Sequence, residues 1–359
     1  MLPVSLRELE SDARARLRAD VFDYYAGGAG DEITLRENGR AYDDVALRYR
    51  VLAGVGARDL STTVVGVRLA APILVAPMAL QGLAHADGEV ATARAAAARG
   101  SLMVVSTLAS TTPEAVRAAC DGPLWFQLYV LKDRGATRAL VERVEAAGYG
   151  ALVLTVDAPL LGRRARDERN AFGLPPRVPV AENAPQVPDT PGSPGGVSGT
   201  SPLAASFGAM LDPSLDWRTV EWLRSITRLP VLVKGVVRGD DAVLAAEHGA
   251  AGVIVSNHGG RQLDTAPATI RVLPEIADAV GGRLELLIDG GVRRGTDVVK
   301  AIALGARAVL VGRPILWGLA LGGEAGVARV LELLRDELDL AMALCGCRTI
   351  GEIDRSLVM

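Results

Sequence analysis

The chain has 359 residues, of which 49% are hydrophobic and 23% are charged, so it is long enough to bury a large core. Its formal net charge is −3, and no run of lysine or arginine marks it as a partner of nucleic acid or of an anionic membrane. Aromatic residues make up only 4%, which favours helices packed on a sheet over an aromatic-rich β-sandwich.

Cysteine usage and the N-terminus exclude further classes. Cys120, Cys345 and Cys347 do not make a disulfide framework or a CxxC motif, and the chain has only three histidines, so we expect no metal site. Residues 1–20 are charged throughout and lack the apolar segment of a signal peptide, and no apolar run is long enough to cross a bilayer. We therefore predict a cytoplasmic protein without a membrane partner.

Eight short apolar runs alternate with segments of helical period. They lie at 72–76, 102–106, 124–128, 151–155, 231–234, 252–256, 284–288 and 308–311. Continuous apolar runs of this length are typical of parallel strands buried on both faces. Gly148, Gly249 and Gly305 each stand where a helix should end before the next strand. The pattern predicts a single-domain (β/α)8 barrel, with an open doubly wound sheet as the alternative.

Two regions interrupt the regular spacing of strands and helices. Residues 1–70 precede the first strand, and we predict a helical N-terminal extension there. Residues from about 176 to 205 are rich in Pro, Gly and Ser and lie in the fourth βα connection. Long polar loops in compact domains are usually functional or disordered, so this segment is predicted to be a mobile lid.

Polar residues and glycines follow nearly every predicted strand, and in a barrel these positions meet at one open end. The motifs IDGGVRRG and LVGRP follow the last two strands, where barrels commonly bind a phosphate. Their glycines allow a close approach of the backbone to an anion, and Arg293 and Arg313 supply charge. The alternative is that these glycines only turn the chain.

Five charged or titratable side chains at or shortly after strand ends suggest chemistry. His258 directly follows the sixth strand and is suited to act as a general base, with Asp157, at the end of the fourth, as its carboxylate partner. Lys234 ends the fifth strand, where a cation stabilises negative charge on a cofactor or substrate. Arg164 and Arg261 converge on the same end, which suggests a carboxylate substrate; the alternative for Arg164 is a solvated charge in a basic run.

Several motifs together resemble one enzyme family. SNHGGRQLD, LVKGV, QLYV, LTVDAPLLGRR, DGGVRRGTDVVKAIALGA, VGRP and the N-terminal FDYYAGGAGDEITLREN look like the FMN-dependent α-hydroxy acid oxidases and dehydrogenases. The resemblance covers the chain from near residue 20 to its end, and SNHGGRQLD is its most specific part. It implies FMN as cofactor, a 2-hydroxy acid and O2 as substrates, and a homotetramer.

The resemblance also implies roles for individual residues. His258 would remove the proton or hydroxyl hydrogen that initiates oxidation at the 2-carbon, Asp157 would support the imidazolium, and Lys234 would stabilise the reduced flavin. The substrate would be bound by Tyr24, Tyr129, Arg164 and Arg261, with Leu108 beside it. The flavin ring and ribityl chain would contact Pro77, Met78, Ala79, Ser106, Gln127, Thr155, Lys234 and Ser256, and the ribityl and phosphate groups would contact Asp289, Gly290, Gly291, Arg293, Gly312 and Arg313.

Departures from the family pattern bear on specificity. Leu108 replaces a bulky tryptophan of glycolate oxidase-like members, which implies a larger, aromatic substrate such as (S)-mandelate or (S)-4-hydroxymandelate. Ala79 stands where some dehydrogenases have glycine, which favours transfer of electrons to O2 with formation of H2O2. The alternatives are a quinone or protein acceptor, a smaller acid such as lactate or glycolate, a flavin-binding protein without turnover, and a phosphate-binding barrel enzyme without flavin.

Overall fold

A computed structural model describes residues 5–173 and 201–359 of the chain. Eight parallel strands form a closed barrel in chain order, and the last strand pairs with the first. The barrel strands are β3 (Ile73–Val75), β4 (Met103–Ser106), β5 (Leu124–Leu128), β6 (Leu152–Thr155), β7 (Val231–Val236), β8 (Gly252–Val255), β9 (Glu285–Asp289) and β10 (Ala308–Val311). The predicted (β/α)8 barrel is confirmed, and the open sheet is excluded.

The strand bounds differ from the prediction by two residues at most. The largest difference is at β7, which was predicted to end at Lys234 but continues to Val236. Its pairing with β8 shifts register between Lys234 and Val236, and Gly235 has a φ of 109°, which glycine adopts readily. The glycine therefore makes a bulge that lets β7 continue past the lysine.

Helices surround the barrel. Those of the βα units are α4 (Gly88–Ala98), α5 (Pro113–Ala118), α6 (Arg134–Ala146), α7 (Ala165–Arg169), α8 (Pro202–Met210), α9 (Arg218–Ile226), α10 (Gly239–Glu247), α11 (Thr269–Val280), α12 (Gly295–Ala303) and α13 (Arg313–Cys345), which is kinked at Gly322 and Gly323. Gly148, Gly249 and Gly305 all have positive φ just after a helix, as predicted. Within the described ranges, no helix is both long and apolar enough to cross a membrane.

The N-terminal extension is helical only in its first part. Helices α1 (Leu6–Arg16), α2 (Ala19–Ala26) and α3 (Ile33–Asp43) are followed by an antiparallel pair, β1 (Thr62–Val64) and β2 (Val67–Leu69), so the prediction of a helical extension up to residue 70 is wrong beyond α3. Val65 and Gly66 both have positive φ, which suits a two-residue hairpin turn. Val64 and Leu69 are buried in the interior cluster of the barrel, so the hairpin covers one of its ends.

The predicted loop at 176–205 is only partly described. Residues 176–200 lie outside the described residues, and residues 202–205, at the end of the predicted loop, are helical instead. Ser201 caps α8 by accepting a hydrogen bond from the Ala204 backbone N–H at 3.3 Å, and Pro202 occupies the first helical turn. Proline and serine thus begin a helix here. This helix brings Phe207 and Met210 into the buried core.

Candidate active site

One cavity lies at the carboxyl end of the barrel strands, the end at which barrel enzymes bind their ligands. All the residues predicted for the site line this cavity except Asp157 and Ser256, which lie directly behind it. Parallel register brings strand ends side by side, for example Ser106 beside Gln127 and Thr155 beside Lys234.

The walls of the cavity carry an excess of positive charge. Among the described residues that line it are four arginines and one lysine, but a single carboxylate, that of Asp289. The arginines are Arg164, Arg261, Arg293 and Arg313. Burying like charges together is unfavourable unless an anion neutralises them. The cavity is therefore built for anionic ligands.

The imidazole of His258 is held by Asp157. Its Nδ1 lies 2.8 Å from Oδ1 of Asp157, and its Nε2 lies 3.5 Å from the hydroxyl of Tyr129. Gly235 makes room for the carboxylate, because a Cβ there would lie 2.6 Å from the Cβ of Asp157. With Nδ1 donating to the carboxylate, the lone pair of Nε2 is available to accept a proton.

Electrostatics keeps the histidine neutral and the aspartate ionised. Burial lowers the pKa of His258 below its usual value of 6.5, and the neighbouring Asp157 offsets this only in part. Burial alone would raise the pKa of Asp157, yet the charges of His258 and Lys234 and the hydrogen bond from His258 bring it below its usual value. At neutral pH the pair is a neutral base beside a carboxylate, which is the arrangement that general base catalysis needs.

Arg164 and Arg261 form a carboxylate-binding corner of the cavity. Burial, together with the charge of Arg261, lowers the pKa of Arg164 to about 10, still high enough to keep it charged at neutral pH. Arg261 donates to the backbone oxygen of Tyr24 at 2.6 Å, and its guanidinium lies 5.0 Å from the centre of the Tyr24 ring. The Tyr24 ring stacks on Phe172 at 4.4 Å, so the corner is rigid.

Lys234 is a buried cation next to the histidine. Its Nζ lies 3.2 Å from Oδ2 of Asp289 and donates to Oγ of Ser256 at 3.0 Å. Burial would lower the pKa of Lys234, but the carboxylates of Asp289 and Asp157 more than offset this and raise it. Ser256 therefore holds Lys234 from behind, and a direct contact of Ser256 with a cofactor stays a prediction.

The far end of the cavity has the features of a phosphate site. Arg313 is fixed by three backbone oxygens, donating to Tyr25 at 2.9 Å, Gly27 at 2.9 Å and Gly259 at 3.0 Å. Burial and the charges of Arg261 and Arg293 lower the pKa of Arg313 well below its usual value. Gly290 and Gly291 both have positive φ beside these arginines. A phosphate would relieve this repulsion and meet exposed backbone N–H groups.

Unpaired polar atoms in the middle of the cavity test whether FMN fits. Nε2 of Gln127, Oγ1 of Thr155 and Oδ1 of Asp289 are buried and have no hydrogen-bond partner in the described part of the chain. Buried polar atoms normally have partners, so these three require a ligand with complementary groups. The carbonyls and N–H of a flavin ring and the hydroxyls of a ribityl chain supply them, and the residues present therefore fit FMN.

Several cavity residues were not predicted from the sequence. Tyr25, Leu161, Phe207 and Gly259 all line the cavity. Tyr25 is adjacent to the predicted Tyr24, and its hydroxyl donates to the Leu80 backbone oxygen at 2.5 Å. Phe207 lies just beyond the predicted loop, in α8, a helix that was not predicted, so only the position of that helix identifies it.

A closed barrel with a phosphate site, unpaired flavin-complementary groups, a buried ammonium and a histidine base defines the class of flavin-dependent oxidoreductases. Comparison with known proteins narrows this class: residues 13–359 match the FMN-dependent dehydrogenase family, and the chain belongs to that family. It is an FMN enzyme.

Relatives span nearly the whole chain. The L-lactate oxidase of Nostoc sp. (strain PCC 7120 / SAG 25.82 / UTEX 2576) is 51% identical, covering 99% of this chain and 98% of its own. The glycolate oxidase of Spinacia oleracea is 49% identical, and the match covers 98% of this chain and 94% of that protein. A solved structure of mandelate oxidase with (S)-4-hydroxymandelic acid has a TM-score of 0.93 at 44% identity. The match covers 99% of this chain and 98% of that chain.

Proposed function

We propose that the chain oxidises an (S)-2-hydroxy acid to the 2-oxo acid and passes the two electrons to O2, which forms H2O2. The observation that carries this proposal is the meeting of a neutral imidazole with two arginines in one cavity: Nε2 of His258 is open to the site that Arg164 and Arg261 line. This arrangement binds a carboxylate and removes a proton from the neighbouring hydroxyl-bearing group. When bound, FMN supplies a two-electron carrier between the acid and O2.

The chain's own residues provide binding and proton transfer. Arg164 and Arg261 bind the substrate carboxylate, and His258 accepts the substrate proton at Nε2 while Asp157 stabilises the imidazolium. Burial and the charge of Asp157 raise the pKa of Tyr129, so its hydroxyl stays protonated and donates to the substrate oxygen. The ammonium of Lys234 offsets negative charge that arises on the cofactor side of the cavity.

The walls for the substrate side chain are apolar. Leu108 and Met78 are buried, and Leu161 and Phe207 complete this part of the cavity. Leucine at position 108 leaves room for an aromatic substrate, and the likeness to the mandelate oxidase structure supports that prediction.

Phe207 favours a shorter side chain. Its ring lies edge-on to Tyr129, with the ring centres 6.0 Å apart, and lines the same cavity as Leu108, so it takes up space next to the hydroxyl of Tyr129. The 51% identity to an L-lactate oxidase agrees with this observation. We therefore propose a short apolar (S)-2-hydroxy acid such as L-lactate as the preferred substrate, with mandelate and 4-hydroxymandelate as the second class.

Anaerobic mixing of the yellow holoenzyme with a panel of acids, followed by admission of air, tests both the preferred substrate and the role of O2 as electron acceptor. The panel holds glycolate, L-lactate, D-lactate, (S)-mandelate and (S)-4-hydroxymandelate, and bleaching of the flavin is followed with time. We expect the fastest bleaching with L-lactate and none with D-lactate. Admission of air should then restore the colour with one H2O2 formed per acid oxidised. Slow reoxidation without peroxide would favour a quinone or protein acceptor instead.

A homotetramer and a cytoplasmic location stay predictions. Sedimentation analysis of the purified holoenzyme measures the first directly, and a mass of four chains is the expected result. Fractionation of the source cells measures the second.

A further inference from the structure

The proposed catalytic histidine lies in a backbone segment of unusual conformation. His258, Gly259 and Gly260 have φ values of 58°, 65° and 75°, so three consecutive residues occupy the left-handed region. Glycine adopts this region readily, but a residue with a Cβ atom does not. Contacts from outside the backbone must therefore hold His258 in this conformation.

The neighbouring side chains of Ser256 and Asn257 make the first of these contacts. Oγ of Ser256 accepts a hydrogen bond from the backbone N–H of His258 at 3.1 Å. Oδ1 of Asn257 accepts one from the backbone N–H of Gly260 at 3.2 Å. The same N–H donates to the backbone oxygen of Asn257 at 3.0 Å, which closes the turn. The side chain of Asn257 spans the segment that carries the imidazole and adds a second hydrogen bond to this turn.

Asn257 is in turn held by Asn38 of the N-terminal extension. Nδ2 of Asn38 donates to Oδ1 of Asn257 at 2.8 Å, and Nδ2 of Asn257 donates to Oδ1 of Asn38 at 2.8 Å. Both residues are buried, with exposed fractions of 3% and 5%. Two reciprocal hydrogen bonds between planar amides fix their relative position and leave little freedom to either side chain.

Asn38 also contacts the glycine pair on the phosphate side of the cavity. A Cβ at Gly291 would lie 2.0 Å from the backbone oxygen of Asn38, and one at Gly290 would lie 3.4 Å from its side-chain amide. The residue therefore packs between the segment after β8 and the segment after β9. It is not among the residues that line the cavity, so it acts on the site only through its neighbours.

We propose that Asn38 is a positioning residue that fixes the orientation of the His258 imidazole through its amide pair with Asn257. The inference rests on the proposed function, in which His258 is the base. Proton abstraction depends on accurate placement of the base, and small displacements reduce the rate strongly. Asn38 thereby gives the N-terminal extension a second link to the site, besides Tyr24 and Tyr25 in the cavity wall.

Two variants at position 38 test this role. Asn38→Ala removes both amide hydrogen bonds, and we expect anaerobic flavin reduction to slow about 10-fold or more while flavin content and KM change little. Asn38→Asp has the same shape. When protonated, its carboxyl donates to Oδ1 of Asn257 and accepts from Nδ2, as the amide does; when ionised, it has no proton to donate. The rate of Asn38→Asp divided by the wild-type rate should therefore rise as the pH falls. His258 and Asp289 are present in both proteins, so their effects on the rate largely cancel in this ratio.

Thr34→Val is the matched control. It removes another hydrogen bond from α3 to the same part of the chain, that from Thr34 Oγ1 to the Ala266 backbone oxygen at 2.9 Å, without touching residues 256–260. We expect its reduction rate to be that of the wild type, with any loss confined to the melting temperature.

Three outcomes would overturn the inference: a wild-type rate in Asn38→Ala, an equal slowing in Thr34→Val, or a ratio for Asn38→Asp that does not change with pH. If Asn38→Ala does not fold, the pH dependence of Asn38→Asp decides alone. A wild-type flavin that no 2-hydroxy acid bleaches would refute the proposed function instead, so the two failures are distinguishable.

Discussion

Asp157 and His258 are 101 positions apart in the chain, yet Oδ1 of one lies 2.8 Å from Nδ1 of the other. The contact determines which ring nitrogen carries the proton and directs Nε2 towards the cavity. It also favours the imidazolium, because the carboxylate counteracts the lowering of the His258 pKa by burial. Both effects are open to measurement.

The pH dependence of kcat/KM should report the His258 pKa. The base form is the neutral ring, so activity should rise with pH through an inflection below the usual value of 6.5. Asp157→Asn removes the charge that raises this pKa, so the inflection should move to a still lower pH, and the plateau should fall by about 100-fold. A shift of the inflection to higher pH would contradict the assignment.

Replacement of the base should separate chemistry from cofactor binding. His258→Ala should keep its flavin, because the groups that fit FMN are elsewhere in the cavity, but it should lose nearly all reduction by substrate. The visible spectrum gives flavin content and anaerobic mixing gives the rate. Loss of flavin from His258→Ala would contradict this assignment, because it would show that His258 helps to bind the cofactor.

The carboxylate-binding corner predicts a contrast between adjacent arginines. Arg164→Leu should lower kcat/KM by about 10- to 100-fold, as expected for loss of a hydrogen bond to a charged group. Arg163→Leu is the control, because the Arg163 side chain is 77% exposed and pairs with Glu168 on the surface. Steady-state kinetics of both variants with L-lactate checks this, and similar losses in the two would place the substrate carboxylate elsewhere.

The side-chain pocket predicts opposite effects of two substitutions. Leu108→Trp fills the pocket and should reduce the rate with mandelate more than the rate with glycolate. Phe207→Leu frees space beside Tyr129 and should raise the ratio of mandelate to lactate activity by about 10-fold, the scale of small changes in an apolar pocket. Equal changes for small and large acids would show that neither residue borders the substrate.

The sequence by itself determined the barrel and most of its active end. Strands buried on both faces must be apolar throughout, so eight such runs were visible without any tertiary information. Because the carboxyl ends of parallel strands meet at one end of a barrel, His258, Asp157 and Lys234 could be placed together from their positions after strands. The predicted phosphate side, with Arg293 and Arg313, followed from the same rule.

Only the tertiary structure decided contacts between side chains that belong to no repeating pattern. Asn38 and Asn257 meet across 219 positions, and nothing in the period or spacing of either segment predicts that their amides pair. Phe207 enters the cavity because Ser201 and Pro202 begin a helix in a segment whose composition favours a loop. Likewise, Ser256 accepts a hydrogen bond from Lys234, a contact that its position after β8 does not predict. The pattern of apolar residues along the chain specifies which face of a strand or helix is buried. The partner of a polar side chain depends instead on which distant segments pack together in three dimensions, and the local sequence does not contain that information.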